Sequence, residues 1–240
     1  MFPVVDAVLA RATSRGACDV EVYAETATSR RIKVYQRAVE QLTAAQRRGL
    51  GVRVFRDGAV GYAYTSDLSE GGLDEVVRRA IDHAAVSDPD EFAKLPAPNG
   101  EAADVHPYDD RLVTATDEQR IDIALAAEAA ALGADSRVKT VEDTVYADGD
   151  SEIFIASSAG VRGSYRTNQC YAFVYVLAEQ DGQVETGLSY SLGRALEDLD
   201  PAGCGSEAAA RACRLLGGRK CTSRKLPVVL DPFVAAAFFG

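Results

Sequence analysis

The side chains best suited to chemistry in this 240-residue chain are few and scattered. His83 and His106 stand 23 residues apart, whereas a zinc hydrolase needs imidazole and carboxylate or thiolate ligands at close spacing. His83 falls beside the apolar face of an expected helix, and His106 lies next to Pro107 in an expected linker. The five cysteines, Cys18, Cys170, Cys204, Cys213 and Cys221, are odd in number and form no C-x-x-C pair. They read as reduced thiols of a cytoplasmic protein. Cys204, Cys213 and Cys221 match no zinc spacing, and a nucleophilic cysteine would need an imidazole base held close by. Asp104, Asp109 and Asp110 lack the turn glycine of a calcium loop. Gly49-Leu50-Gly51 starts like a dinucleotide fingerprint, but Val54 takes the third glycine position and a strand follows, so a turn before a strand is expected. Gly71-Gly72 could present amides to an anion, yet Glu70, Asp74 and Glu75 crowd them, and a flexible loop is the expectation. No catalytic residue, metal ligand or cofactor is assigned to the chain, and no substrate-binding residue is identified.

Composition narrows the class. With 47% hydrophobic and 26% charged residues, the chain can bury an ordinary core. Its formal charge of −10 supplies no basic stripe of the kind that neutralises phosphates, which argues against nucleic acid as a partner. No apolar run approaches the roughly 20 residues that span a bilayer, so no membrane association is expected.

The elements that must position any site read as two similar units, an α+β fold of two helix-plus-antiparallel-meander units. Pro3, Val4, Val5, Val8, Leu9 and Ala12 predict a helix over about 3–15 that stops at Gly16. Strands follow at Val20–Ala24, Ile32–Val34, Leu50–Val54 and Val60–Tyr64, the last run with Tyr62 and Tyr64 on its half-buried side. Asp57-Gly58 suits a two-residue hairpin between the last two. After Ser66, Asp67 and Ser69 as competing caps, Leu73, Val76, Val77, Ala80, Ile81 and Ala84 share one helical face.

Residues 87–112 hold four of the eight prolines and no period, which predicts an acidic linker. Beyond it Thr116 and Gln119 form a capping box ahead of a helix that ends at Gly133. Strands are signalled around Val141–Ala147, Ile153–Ile155, Cys170–Ala178 and Val184–Leu192, with hairpin turns at Asp148-Gly149 and Asp181-Gly182. Along the third of these, Tyr171, Phe173 and Tyr175 alternate with Cys170, Ala172, Val174 and Val176; either core against sheet surface, or a subunit interface or peptide groove, explains that contrast. Asp200-Pro201 opens a helix closed by Gly217-Gly218. A short strand is expected over Leu226–Leu230, and the apolar end with Phe238 and Phe239 predicts that the natural protein continues. The domains expected are 1–86, a linker at 87–112, 113–225, and the start of a further domain at 226–240.

Four pieces carry a resemblance by their order and spacing: Arg48-Gly49-Leu50-Gly51-Val52-Arg53-Val54, Ser66-Asp67-Leu68, Ser158-Ala159-Gly160 and Pro227-Val228-Val229-Leu230-Asp231-Pro232. Together they resemble the first half of the TldD/PmbA family, a metallopeptidase system once described as modulators of DNA gyrase. The resemblance implies an N-terminal domain at about 18–86, a central domain at about 113–220 and a C-terminal domain from near Leu226. In the TldD branch an H-E-x-x-x-H zinc motif follows the VVL-x-P strand, and its first His should fall at about position 240. Gly240 stands there, after Ala237-Phe238-Phe239, as in the PmbA (TldE) branch, which lacks the motif.

The resemblance therefore implies a non-zinc-binding subunit. Zinc is expected on a TldD-like metallopeptidase partner, and the substrate is a peptide or unfolded protein. A stand-alone peptide-binding or scaffold protein of the same fold is the alternative, since fold does not fix function. A TldD-type enzyme with a slipped register would instead show the motif just after Gly240.

Overall fold

A computed structural model of the chain describes residues 1–17, 19–98, 100, 105 and 107–239. Helix α1 (Phe2–Ser14) precedes three strands, β1 (Asp19–Tyr35), β2 (Ala38–Arg56) and β3 (Ala59–Thr65), and then α2 (Glu70–Val86). The short α3 (Asp110–Thr114), which begins inside the stretch expected as linker, and then α4 (Asp117–Ala134) lead into β4 (Val138–Ser157), β5 (Arg162–Gln180) and β6 (Gln183–Gly193). Helix α5 (Pro201–Leu215) and a terminal α6 (Pro232–Phe239) complete the chain. No described helix is long and apolar enough to cross a membrane.

The two meanders share one antiparallel sheet, ordered β3-β2-β1-β4-β5-β6. The join is the β1–β4 ladder, running from Glu21 opposite Ser157 to Val34 opposite Thr144. Such length explains two departures from the sequence reading. Asp148-Gly149 is not a turn but sits inside β4, because partners on both sides, Arg30 and Ser29 on β1 and Cys170 and Gln169 on β5, hold the backbone extended. Gly49-Leu50-Gly51 likewise lies inside β2 rather than at a turn. The hairpins at Asp57-Gly58 and Asp181-Gly182 form as expected, with positive φ at all four residues. Leu226–Leu230 is not a strand: it pairs with nothing and its residues are exposed. Ser69 is the cap of α2, its side chain accepting from the Gly72 amide, and the Thr116–Gln119 capping box opens α4. Gly71 and Gly72 thus belong to the first turn of a helix, and a Cβ on Gly72 would lie 2.4 Å from the Asp67 carbonyl oxygen.

All four long helices pack on one face of the sheet. Under α1 and α2 lie Val20, Val22, Ala24, Leu50, Val52, Val54, Ala63, Phe154 and Ala156. Under α4 and α5 lie Val138, Val141, Val174, Val176 and Ala178. A third apolar group, including Ile32, Val34, Tyr146 and Cys170, fills the middle. The covered positions on β3, β5 and β6 are small, which lets the helices approach closely: a Cβ on Gly61 would meet the Ala80 carbonyl oxygen at 1.9 Å, and one on Gly187 the Ala208 oxygen at 2.2 Å.

Candidate functional site: the uncovered face of the sheet

Because side chains alternate along a strand, burying small residues sends large ones to the opposite face. On β5 the buried side is Cys170, Ala172, Val174, Val176 and Ala178, and the other side is Tyr171, Phe173 and Tyr175. The same rule turns β3 over relative to the expectation. Ala59, Gly61 and Ala63 face α2, while Tyr62 and Tyr64, 52% and 75% exposed, stand on the helix-free side. Register places Tyr23 of β1, Tyr165 of β5 and Tyr190 of β6 on that side too, which the long helices leave uncovered; at the β6 edge Tyr190 meets Phe233 of α6 at a centroid distance of 5.2 Å.

Two confluent clefts cross this aromatic face. One, of about 330 Å³, is lined by Glu25, Ser29, Arg47, Ser151, Thr167, Gln169 and Tyr171 among others. The other, of about 290 Å³, is lined by Tyr23, Glu25, Arg47, Gly49, Gly51, Tyr62 and Tyr64 among others. Gly51 lies under the Tyr62 ring, which a Cβ there would meet at 2.9 Å, and Tyr62 stacks with Tyr64 at a centroid distance of 6.2 Å. Arg53 donates through Nε to Glu21 at 2.9 Å near this edge. Burial and the neighbouring Glu25 carboxylate push the Tyr23 phenol above its ordinary range. Flat aromatic rings, hydroxyls, amides and the charged groups of Glu25 and Arg47, with Arg48, Asp148 and Asp150 adding to the lining from strand positions that alternate to the other face, form a surface suited to holding an extended polypeptide.

The helix-side face has polar groups of a different kind. Arg120 on α4 is buried, with Nε 2.5 Å from Asp148 Oδ2 and Nη2 donating to the Leu112 carbonyl at 3.0 Å. The Tyr146 hydroxyl donates to the same Asp148 oxygen at 2.8 Å, and burial raises the phenol far above its usual range. Glu128 accepts from the Arg37 amide at 2.8 Å, fastening the β1–β2 turn to α4. These groups are fully engaged with one another and tie helix to sheet.

The residues singled out by type do not converge. His83 is exposed, and its Nδ1 lies 2.7 Å from the Tyr62 carbonyl oxygen, which places the proton on that nitrogen. His106, Cys18, Asp104 and Gly240 lie outside the described residues. Cys170 and Cys204 are buried, their sulfurs directed at the carbonyls of Ala195 and Ala172. Asp109 caps α3 and pairs with Arg111 at 2.7 Å. Among the described residues, no three His, Cys, Asp or Glu side chains cluster as metal ligands. The donor set described therefore does not fit zinc. The tyrosines of β1 and β3 were missed as a site; the signal available was the alternation of Ala59, Gly61 and Ala63 with aromatics, the pattern already visible in β5.

Residues 20–84 match PmbA/TldA metallopeptidase domain 1, and residues 110–216 match the PmbA/TldA metallopeptidase central domain. Metalloprotease PmbA of Escherichia coli O157:H7 is 29% identical over 198 residues, covering 80% of this chain and 43% of that protein. The metalloprotease PmbA homolog of Haemophilus influenzae is 26% identical over 233 residues, covering 95% of this chain and 51% of the relative. The chain thus spans about half the length of the curated relatives it matches. Two solved structures share the fold. One, from Bacteroides thetaiotaomicron and named as a modulator of DNA gyrase, has a TM-score of 0.83 at 21% identity over 92% of this chain and 51% of its own. The other, TldE from Thermococcus kodakarensis, has a TM-score of 0.76 at 15% identity over 88% of this chain and 47% of its own.

Proposed function

The chain belongs to the TldD/PmbA family of metallopeptidases, and we propose that it serves as the N-terminal part of a PmbA-like subunit that holds peptide substrate for a zinc-bearing, TldD-like partner. The observation that carries this reading is the helix-free face, where two confluent clefts lined by tyrosines, hydroxyls and amides run across the sheet. A surface of this kind grips backbone and side chains of an unfolded segment without a fixed sequence. Enclosing such a segment between two subunits also keeps bulk solvent away from the reacting bond while leaving the attacking water in place. The proposal assigns zinc, the polarised carbonyl and the general base to the partner, and places the complex in the cytoplasm, where thiols stay reduced.

The test mixes the purified full-length protein with its TldD-like partner and follows complex mass, zinc content and peptide cleavage. Cleavage is expected to require both chains, with zinc travelling with the partner. A fully active partner that forms no complex at micromolar concentration would overturn the subunit reading in favour of a stand-alone scaffold. Tightly bound zinc on this chain, with chelator-sensitive cleavage, would overturn the non-catalytic assignment.

A further inference from the structure

The helix layer is not continuous. Along the helix-side positions of β1, Val20, Val22 and Ala24 lie under α1 and α2, and Ile32 and Val34 lie beside α4. Between these apolar stretches stand Thr26, Thr28 and Arg30. Register carries the polar interval across the sheet as two rungs: Arg48, Thr26, Glu152 and Arg166, then Gln46, Thr28, Asp150 and Asn168. Above them a trench of about 570 Å³ opens between the two helix pairs, a volume in the range of small-ligand sites. An apolar covering helix does not suit such a floor, because it would leave these polar groups without water or partners.

Half of the trench is already bonded. The Thr28 hydroxyl donates to Asp150 at 2.5 Å, Arg166 lies 3.6 Å from the same carboxylate, and its guanidinium stacks over the Tyr108 ring at 3.9 Å. Asn168 is buried, its amide bonded at both ends to the Asp109 backbone. Arg48 and Glu152 differ. Both line the trench, and among the described residues neither side chain has an ion-pair or hydrogen-bond partner. They flank Thr26 from β2 and β4, two strand spacings or about 9–10 Å apart. Strand side chains stand roughly perpendicular to the sheet, so the two opposite charges keep that separation.

We propose that the trench binds a short zwitterionic peptide, about three residues long, lying across the strands with its carboxylate on Arg48 and its ammonium on Glu152. Both signs are needed. An anion alone would sit over Asp150 and Glu152, and a cation alone beside Arg48 and Arg166. Extended chain spans about 3.3–3.6 Å per residue, so a tripeptide sets its ends about 10 Å apart, whereas a free amino acid holds its charges too close together to reach both groups. The Thr26 hydroxyl and the Gln46 amide remain to bond the peptide's own amides. The trench lies on the helix side of the sheet, opposite the clefts, and does not rest on the function proposed above.

Isothermal titration calorimetry with trialanine is the first measurement, with one site per chain expected. Blocking either end, as N-acetyl-trialanine or trialanine amide, should weaken binding at least tenfold, since each removes a charge-assisted contact. Glu152→Gln should cancel the difference between trialanine and its acetylated form, and Arg48→Gln the difference between trialanine and its amide. Neither side chain holds another described group in place, so the circular dichroism spectrum should not change. Glu142→Gln, which neutralises an exposed carboxylate elsewhere on β4, should leave binding as it was. No binding of trialanine up to about 10 mM overturns the proposal. So does binding that Arg48→Gln and Glu152→Gln leave intact. Equal binding of the acetylated peptide would mark a plain anion site, and equal binding of the amide a plain cation site; either result overturns it as well.

Discussion

Arg120 and Asp148 place two full charges in the interior, where the Tyr146 hydroxyl also donates to Asp148 and Arg30 and Asp117 lie at 3.8 and 3.7 Å. Such a pair adds little over an apolar replacement, but losing one partner strands the other without water. Arg120→Ala is therefore expected to destabilise the protein by roughly 3–5 kcal/mol, and Arg120→Met combined with Asp148→Leu by much less; urea midpoints for both variants check this. Burial of the thiols has a separate consequence at alkaline pH. It pushes Cys170 up to about 12 and Cys204 up to about 11. The unfolded chain gives up these protons near pH 8.5, while the folded protein retains them. Their stabilising contribution is complete below that pH and is lost as pH rises through the folded values. Unfolding midpoints should hold steady from pH 7 to 8 and fall from about pH 9 upward, by at most about 1.4 kcal/mol per pH unit for each thiol. Cys170→Ala should make the fall shallower; an unchanged slope would remove Cys170 as its cause. None of this was legible in the sequence, where Asp148-Gly149 has the composition of a turn and Arg120 that of an exposed helical residue. What decides their environment is a strand pairing with β1 more than a hundred residues away.

At the scale of elements, the two units repeat one device: a final strand with a glycine under the helix that follows it. Gly61 under α2 and Gly187 under α5 leave no room for a methyl group against helix backbone. Gly61→Ala and Gly187→Ala should each lower stability by about 1–3 kcal/mol or more, because backbone cannot rotate aside as a side chain can. Gly133 is the contrast. It lies in α4 with nothing within 4 Å of an added Cβ, so Gly133→Ala should stabilise by up to about 1 kcal/mol. Thermal denaturation of the three variants checks the contrast, and equal losses in all three would refute it. Elements governed by local chemistry were readable in advance: the Thr116–Gln119 box and the Asp57-Gly58 and Asp181-Gly182 hairpins depend only on neighbouring residues, and the cap of α2 was narrowed to three candidates, of which Ser69 is the one used. Those governed by distant partners were not. The β1–β2 hairpin turns at Gln36 and Arg37, both with positive φ and neither a turn former, and Arg37 is held by Glu128 from α4. The facing of β3 failed for a related reason, since aromatic residues were read as the buried side when close helix approach demands the small ones.

For the whole molecule, the governing contact is the β1–β4 ladder. The sequence divides the chain at 87–112, and the domain-sized matches, 20–84 and 110–216, leave most of that segment between them, yet the sheet runs through both halves. Covalent continuity and structural continuity therefore separate here. Phe92 and Lys94 are exposed in a stretch without regular structure, which makes them suitable for limited chymotryptic and tryptic cleavage. Cutting there removes no strand pairing. Val22, Ala24, Phe154 and Ala156 stay packed in one core with α1 and α2, and Ile32, Val34, Tyr146 and Cys170 in another beside α4. The nicked protein should run as two fragments on a denaturing gel but elute as a single species under native conditions, with its circular dichroism unchanged. Resistance of Lys94 and Phe92 comparable to that of Arg53 or Tyr175 would argue against an accessible linker. Fragments that separate on a native column would mean that the β1–β4 ladder is too weak to unite the halves, and the clefts that depend on both β2 and β5 would then have no fixed floor.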